Sequence, residues 1–574
     1  MLKYYYQRQL DHLRELAEEF SRAHPSLAPM LAGQSRDPDV ERLLEGMAYL
    51  TGMLSARLDD SFPEIVHNLL HLCAPQCLRP IPSATIIRFI PREKLVERFL
   101  IRAETQLMSV PVSGIKCIYS TCFDVDVVPL RLEDVRFEQR AGDVGKIFLF
   151  FSLSSVENHE DFPEYIRLYL GESYIHSSLL FFLLTHQVKN IRIFSPESLV
   201  ELDSNAIRPS FFNLEYPLFP YPRNSFAAFR LFQEYFILPE KFLFIDIYGW
   251  KKWIKEGGRG NFVVEIIFKS HLDISPNLNL NSFIPFCTPA INLFPHDATP
   301  IYLSHHSQEY RIFPAGEYGK IFQIFDITSV TGIKQGSIHK RKFLSMEKMK
   351  VERDQEGLYY KKIKYSDISE EPEWYVSIGY EDENELEKQV LMIELLCNNG
   401  KVVNSLQVGD ICNPTDTSPL MCSFKNLTFP TPNYNPILDK DNLWRFLSHF
   451  NINIFSFNDV SQLKELIKLY LSFQKKDVKR YQANLKRIEG ILDMKIRKGR
   501  RLYKGYMLPG HDIFLEMSSD YFTNLGDMFI FVKILDYFFC YYSSLNSYTR
   551  LIVKDQKTGE ELRCPARFGV QHLI

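Results

Sequence analysis

Between Phe232 and Phe244 the chain reads Phe-Gln-Glu-Tyr-Phe-Ile-Leu-Pro-Glu-Lys-Phe-Leu-Phe, which sets five aromatic side chains, two glutamates and a proline into one short stretch. Large rigid side chains so arranged build shape and contact area, and aromatic groups dominate the energetics of cores and interfaces alike. The stretch holds no metal-ligand spacing, phosphate loop or nucleophile elbow. It therefore constrains this region to dense packing and leans away from catalysis.

The rest of the composition agrees. Of 574 residues, 45 are Phe and 30 are Tyr, against only 26 Gly. That balance favours packed layers over flexible ligand loops. At roughly 150 residues per domain the length implies about three to four domains, each able to bury a core. The net charge of −3 excludes a generic nucleic-acid or membrane-surface binder, so any such role needs a local patch. The opening Met1-Leu2-Lys3-Tyr4-Tyr5-Tyr6-Gln7-Arg8 carries charges and reads as no secretory signal. The apolar run Met528–Tyr542 includes Lys533 and Asp536 and falls short of the ~20 residues a membrane span needs, so it reads as a buried helix. Ten scattered cysteines then read as reduced thiols.

The fold class expected is α+β and multidomain. A helical region spans residues 1–80, a mixed β domain 81–240, a mainly β domain 241–430, and an α/β domain 431–574 that closes on a buried aromatic helix. In the first region Tyr6, Leu10, Leu13, Leu16 and Phe20 share a helical face. A second helix starts at Asp37-Pro38, with Asp as cap and Pro in the first turn. Its stripe is Val40, Leu43, Leu44, Met47, Leu54 and Leu58. Gly46 and Gly52 lie inside it at a cost of about 1 kcal/mol each, which close approach of another helix would offset. A third helix is expected from Pro63 to Pro75. Apolar runs bounded by breakers predict strands at 84–90, 145–153, 165–170, 190–194, 242–247, 262–268, 319–327 and 390–396. Helices are expected at 177–186, 440–450, 459–473 and 526–543. The polar segment Thr328–Lys388 reads as an insertion, and Pro430–Pro436 as a linker.

Few residues offer chemistry. His67/His71 and Cys73/Cys77 each have i,i+4 spacing, but the pairs differ in phase by about 120° at 3.6 residues per turn. A zinc site also usually draws on a second segment, so packing is the preferred reading. His305 and His306 are adjacent and would point to opposite strand faces. Asp59, Asp60 and Glu64 read as charges complementing the start of the helix at Pro63. Glu234, set among aromatics without a partner nearby, reads as a buried hydrogen-bonded carboxylate. Lys475–Lys504 is strongly basic: twelve Lys and Arg against Asp477, Glu489 and Asp493. It is a solvated face or a docking face for an acidic partner, with nucleic acid a weaker reading.

Taken in order, several motifs together resemble a known family. They are Tyr5-Tyr6 through Leu10, Leu13–Phe20, His24-Pro25, Asp37–Gly46, Leu58-Asp59-Asp60, Phe62-Pro63-Glu64 and Pro80–Ser83. Leu231–Phe236 with Pro239–Phe242, Cys287–Phe294, Trp444–His449 with Asn451 and Asn453, and Leu545–Tyr548 continue the match nearly end to end. The sequence resembles the TssF (ImpG/VasA) family of type VI secretion baseplate subunits. Thr328–Lys388 matches no part of it.

That resemblance implies a non-catalytic part of a baseplate wedge, with no cofactor and no metal. It implies two TssF copies with one TssG, further contacts to TssE, the adaptor TssK, the VgrG spike and the sheath, and a cytoplasmic location at an inner-membrane complex. It implies neither nucleic-acid binding nor membrane insertion. Partner contacts are expected at Tyr6, Leu10, Leu13, Phe20, Val40, Leu43, Met47 and Leu54, and at Arg497, Arg500 and Arg501. The competing expectations are a metal-dependent hydrolase and a nucleic-acid module using residues 475–504.

Overall fold

A computed structural model describes residues 2–23, 38–73, 75–92, 97–140, 142–154, 163–222, 225, 227–272, 276–304, 306–334, 340–345, 357–365, 372–379, 389–436, 444–446, 459–475, 477–503 and 505–570. At some of these positions, 55–68 and 71–73 among them, only the backbone is described. The fold is α+β. It divides into two units: residues 1–78 with 438–451, and residues 79–437 with 452–574.

The first unit is built on two helices, α1 (Leu2–Ala23) and α2 (Pro38–Cys73), which lie against each other. Pro38 opens α2, as a proline suits a first turn whose N–H groups have no helical partner. Gly52 explains the close approach. A Cβ there would stand 3.1 Å from the Tyr6 nitrogen and 3.3 Å from the Tyr5 carbonyl carbon. Gly46 faces open space, so only one of the two glycines serves a helix contact. Leu10 on α1 and Ala48 on α2 are buried, and Arg14 of α1 pairs with Glu41 of α2.

One expectation about this unit is corrected. No third helix begins at Pro63, because α2 runs unbroken through it to Cys73. A proline inside a helix removes one backbone bond and crowds the preceding turn, but here the ladder on either side continues. Asp59, Asp60 and Glu64 therefore lie within a helix and have no helix start to complement.

The second unit is mostly antiparallel sheet. One six-stranded sheet runs Ile411–Pro414, Gln106–Val112, Ile115–Thr121, Cys287–Ile291, Ala84–Pro91, Cys422–Asn426. It draws strands from both sides of residue 240. A five-stranded sheet runs Leu199–Asp203, Val188–Phe194, Phe262–Phe268, Lys146–Leu153, Leu130–Glu138. A smaller sheet sets Phe244–Tyr248 beside Tyr165–Tyr169. Strands 84–91, 146–153, 165–169, 188–194 and 262–268 lie where apolar patterning placed them.

The segment expected as an insertion is sheet where it is described. Gln323–Lys334, Lys340–Ser345, Gly357–Tyr365 and Pro372–Gly379 join Gln389–Asn398 in one eight-stranded sheet. Its buried face holds Val330, Phe343, Tyr359, Trp374, Val376, Leu391, Ile393 and Leu395. Alternation carried by isolated apolar residues between Lys and Glu is enough for a one-faced sheet, and it is easily read as a polar loop.

The described residues of this unit also form α-helices. They are α3 (Tyr174–His186), α4 (Ala227–Ile237), α5 (Trp250–Lys255), α6 (Val460–Leu469), α7 (Val478–Glu489) and α8 (Leu525–Tyr542). Helix α8 is the buried aromatic helix anticipated near the chain end, and α3 and α4 pack on it. Of the helix expected at 440–450, only residues 444–446 fall among the described ones.

Candidate interaction surfaces

The aromatic stretch at 232–244 folds as the end of α4, a 3-10 turn at Pro239–Phe242, and the strand from Phe244. Phe232, Tyr235, Phe236, Phe242 and Phe244 are all buried. Phe232 meets Phe538 of α8 edge-to-face at 4.9 Å, and Phe212 lies 4.9 Å from Phe242. The stretch is thus core, and its contact area is spent inside the chain.

Glu234 is a buried structural carboxylate, as expected, but it does have a partner. Helix α4 ends at Ile237, and the turn at Pro239 brings Lys241 back to pair with it. Glu234 also accepts the Leu218 N–H at 2.9 Å, and the Lys241 ammonium donates to the Tyr216 carbonyl at 2.7 Å. A helix-ending proline between two opposite charges was the signal available in the sequence. Removing one member of such a buried pair typically costs about 3–5 kcal/mol, because the other charge is left unpaired.

A second buried polar group ties four helical segments together. Asp527 in the first turn of α8 accepts the Tyr174 hydroxyl at 2.8 Å, the Tyr235 hydroxyl at 3.3 Å and the Arg487 Nε at 3.1 Å. Asn524 caps the same turn by accepting the Asp527 N–H at 2.9 Å. Burial holds both tyrosine hydroxyls well above their ordinary range. Burial pulls Arg487 down, but Tyr235, Tyr174 and Asp527 together raise it. These ionisable groups converge, yet each hydrogen bond closes on another protein group. The arrangement ties α3, α4, α7 and α8 together.

The remaining candidates separate by where the fold puts them. The side chains of His67, His71 and Cys73, and residue His305 as a whole, lie outside the described residues. Burial pushes the Cys77 thiol up to about 12, which disfavours a thiolate ligand. Among the described residues, no group of three or more His, Cys, Asp or Glu is placed to hold a metal ion. Nor is any described helix long and apolar enough to cross a membrane.

The helical stripes divide. Leu10 is buried, and Tyr6, Leu13 and Val40 are half-buried. On α2, Leu43 is 74% exposed, Met47 57%, Leu50 62% and Leu54 65%. These positions step by four, three and four residues, the spacing of a coiled-coil seam. On α1, Leu16 and Phe20 are also exposed. Leu50 lies on the same exposed face as Leu43, Met47 and Leu54, and the 4-3-4 rhythm of the sequence is the signal that includes it.

The basic segment also divides. Arg487 is drawn inward to Asp527, Arg480 lies 3.6 Å from Asp477, and Lys495 lies 2.9 Å from Asp493. Arg497, Arg500 and Arg501 are exposed on a long antiparallel hairpin, Ile491–Tyr503 paired with Tyr506–Met517. Arg497 lies over the Phe514 ring at 5.0 Å, and Arg501 lies 5.9 Å from the Tyr548 ring.

Against known proteins, the family model described as type VI secretion system, TssF, matches residues 1–571. The type VI secretion system component TssF1 of Pseudomonas aeruginosa is 26% identical over 629 aligned positions, covering 98% of this chain and 98% of that protein. A chain in the TssK-TssF-TssG baseplate subcomplex of a type VI secretion system superposes with a TM-score of 0.80 at 22% identity, over 93% of this chain and 99% of that one. A chain of the type VI baseplate complex gives a TM-score of 0.62 at 20% identity, with 100% of each chain covered. At these identities the structural likeness establishes the fold.

Proposed function

Because the chain belongs to the type VI secretion TssF family, we propose that it is a non-catalytic structural subunit of the baseplate wedge, assembling with TssG and bearing on TssK. Both partners appear beside TssF in the name of the similar subcomplex. Contacts to TssE, the VgrG spike and the sheath, two copies of this chain per TssG, and a cytoplasmic position at the inner-membrane complex extend the same reading.

The observation that carries it is the exposed seam Leu43, Met47, Leu50 and Leu54 on α2. Four large aliphatic groups in heptad rhythm are costly in water, and each contributes about 1.5–3 kcal/mol when fully covered. A seam of this kind fits helices of another subunit, with Tyr6, Leu13, Phe20 and Val40 bordering the contact. Stable assemblies of this class bury about 2,000–5,000 Å² per interface, so the seam would be one part of a larger surface. The buried ionisable groups support the non-catalytic part of the reading, since they are consumed in holding α3, α4, α7 and α8.

Co-expression with TssG from the same organism, followed by native mass measurement, tests the proposal. The expected product holds both proteins with two copies of this chain, and Leu43→Glu with Leu50→Glu breaks it apart. A stable monomer that ignores TssG in the same preparation overturns the reading.

A further inference from the structure

The hairpin Ile491–Tyr503/Tyr506–Met517 outruns the sheet that supports it. Its two strands pair in register up to Tyr503 opposite Tyr506. The next strand, Tyr548–Asp555, pairs only from Gly510 onward. Residues 500–503 and 506–509 therefore form two paired strand ends beyond the last backbone-paired neighbour, an arm of the hairpin. An unsupported two-stranded ribbon is marginal in water, and its exposed side chains gain nothing from the fold.

The register fixes which side chains share a face. Met494 lies opposite Leu515 and Ile496 opposite Ile513; continuing outward, Lys498 lies opposite His511, Arg500 opposite Pro509, and Leu502 opposite Met507. Ile513 and Leu515 are buried, so this is the core face at the base of the hairpin. Past the edge of the core the same face carries Leu502 at 71% exposed and Met507 at 61%. The charge is one-sided as well. Between residues 494 and 511 the sequence holds six Lys and Arg and not one carboxylate.

We propose that this arm is a docking element for an acidic protein surface, with Leu502 and Met507 seated in an apolar recess and Lys498 and Arg500 on carboxylates beside it. The proposal rests on the reading of the chain as an assembly subunit and adds a contact separate from the α2 seam. Side chains at i and i+2 on a strand stand about 7 Å apart. The complementary surface therefore carries at least two carboxylates at that spacing, as one face of a helix or a neighbouring strand supplies. An apolar centre flanked by charge matches the anatomy of protein interfaces, where desolvated side chains give affinity and peripheral charges give rate and register. A phosphate backbone would satisfy the cations but leave the cross-strand Leu502–Met507 pair without a partner. The free edge of Ile491–Tyr503 carries Lys495, Arg497 and Arg501, which discourage indiscriminate strand pairing and leave the face as the contact.

The test uses the full chain with purified TssG and TssK of the same organism, duplex DNA, and phosphatidylglycerol vesicles as separate probes. Three forms are compared: wild type, Lys498→Glu with Arg500→Glu, and Leu502→Ser with Met507→Ser. The expected result is about tenfold weaker binding to one protein probe for each double variant. The charge reversal alone loses the salt dependence of binding, and it is rescued by reversing a pair of carboxylates on that probe. The TssG contact through α2 survives in both variants, which separates failure of the arm from failure of the assembly reading. Unchanged affinity and salt dependence for both protein probes overturns the proposal. So does loss confined to DNA or to vesicles, which would assign the arm to nucleic acid or to a lipid surface. All four positions are exposed or half-exposed, so unfolding temperatures should match wild type, and a shared drop would itself contradict a free arm.

Discussion

Helices α2 and α8 are both long, and both are rich in large apolar side chains, yet they end in opposite surroundings. No residue of α8 is exposed, whereas α2 shows a seam of Leu43, Met47, Leu50 and Leu54 to solvent. Each uses a glycine to admit another backbone: Gly52 admits α1, and a Cβ at Gly526 would collide with the Ser178 carbonyl of α3. The difference lies in distribution. Helix α8 is apolar around its circumference, so only complete enclosure satisfies it. Its two buried acids are each answered by an arginine, Asp527 by Arg487 and Asp536 by Arg567. Helix α2 is apolar in stripes, and one stripe meets α1 while the other stays exposed. Apolar content therefore does not separate buried core from exposed seam here. The number of faces left after internal packing does.

The strongest challenge to that contrast is Phe538→Ala in α8. Phe538 is fully buried and meets Phe229, Phe232 and Tyr542. Its loss opens a cavity and is expected to cost about 3–5 kcal/mol, read by urea denaturation of the chain alone. A cost below about 1 kcal/mol would mean that α8 is not the closed core described. Lys241→Met follows at slightly smaller size, since the substitute fills the space but strands the Glu234 carboxylate. About 3 kcal/mol is expected, and Glu234→Gln in the same chain should recover part of it. Should the single variant be neutral, the pair does not hold the α4 turn.

Most of the fold was legible because it depends on local rules. Prolines and glycines bounded the strands at 84–91, 146–153 and 262–268, and a long apolar run marked α8. The failures share a cause: they turn on what sits opposite. Pro63 looked like a helix start, but nothing local says that α2 continues through it. Thr328–Lys388 was hard to read because its strands set isolated buried residues such as Val330, Phe343 and Trp374 among polar ones, and the sheet partner Gln389–Asn398 is distant in sequence from its first strands. Lys241 was overlooked for Glu234 because the returning turn at Pro239 closes the distance. At the surface, the sequence marked Leu43, Met47, Leu54, Arg497, Arg500 and Arg501, and all six are exposed. Their neighbours Leu50, Leu502 and Met507 needed the face assignment that only helix packing and strand register supply.

A smaller effect is expected from acid. Asp326 lies in the eight-stranded sheet beside Arg79 and Lys361, with the Lys361 Nζ at 3.0 Å. Burial raises its carboxyl, but Arg79 and then Lys361 outweigh burial and leave it below its ordinary value. A carboxyl depressed in the folded state contributes stability that is fully present above the unfolded value of about 3.9. That contribution is lost as pH falls through the folded value. Thermal unfolding between about pH 5 and pH 2.5 should therefore fall more steeply for wild type than for Asp326→Asn. Parallel curves would show that the ion cluster does not set the acid limit of this sheet.

The smallest effect on the chain alone, and the sharpest contrast with α8, is expected at Leu50. Leu50→Ser removes a side chain that is already in water, so folding loses almost none of its burial. Surface changes of this kind usually stay within about 0.5 kcal/mol, and serine's weaker helix propensity accounts for a few tenths of that. In the assembled complex the same change removes one of four groups in the seam, and co-purification with TssG should weaken by at least tenfold, or about 1.4 kcal/mol. The two measurements answer different questions about the same atom group. If Leu50→Ser unfolds the free chain, the seam is internal and α2 resembles α8 after all. If it leaves both stability and assembly untouched, α2 presents its stripe to no partner, and the exposed rhythm of Leu43, Met47, Leu50 and Leu54 has no role in holding the wedge together.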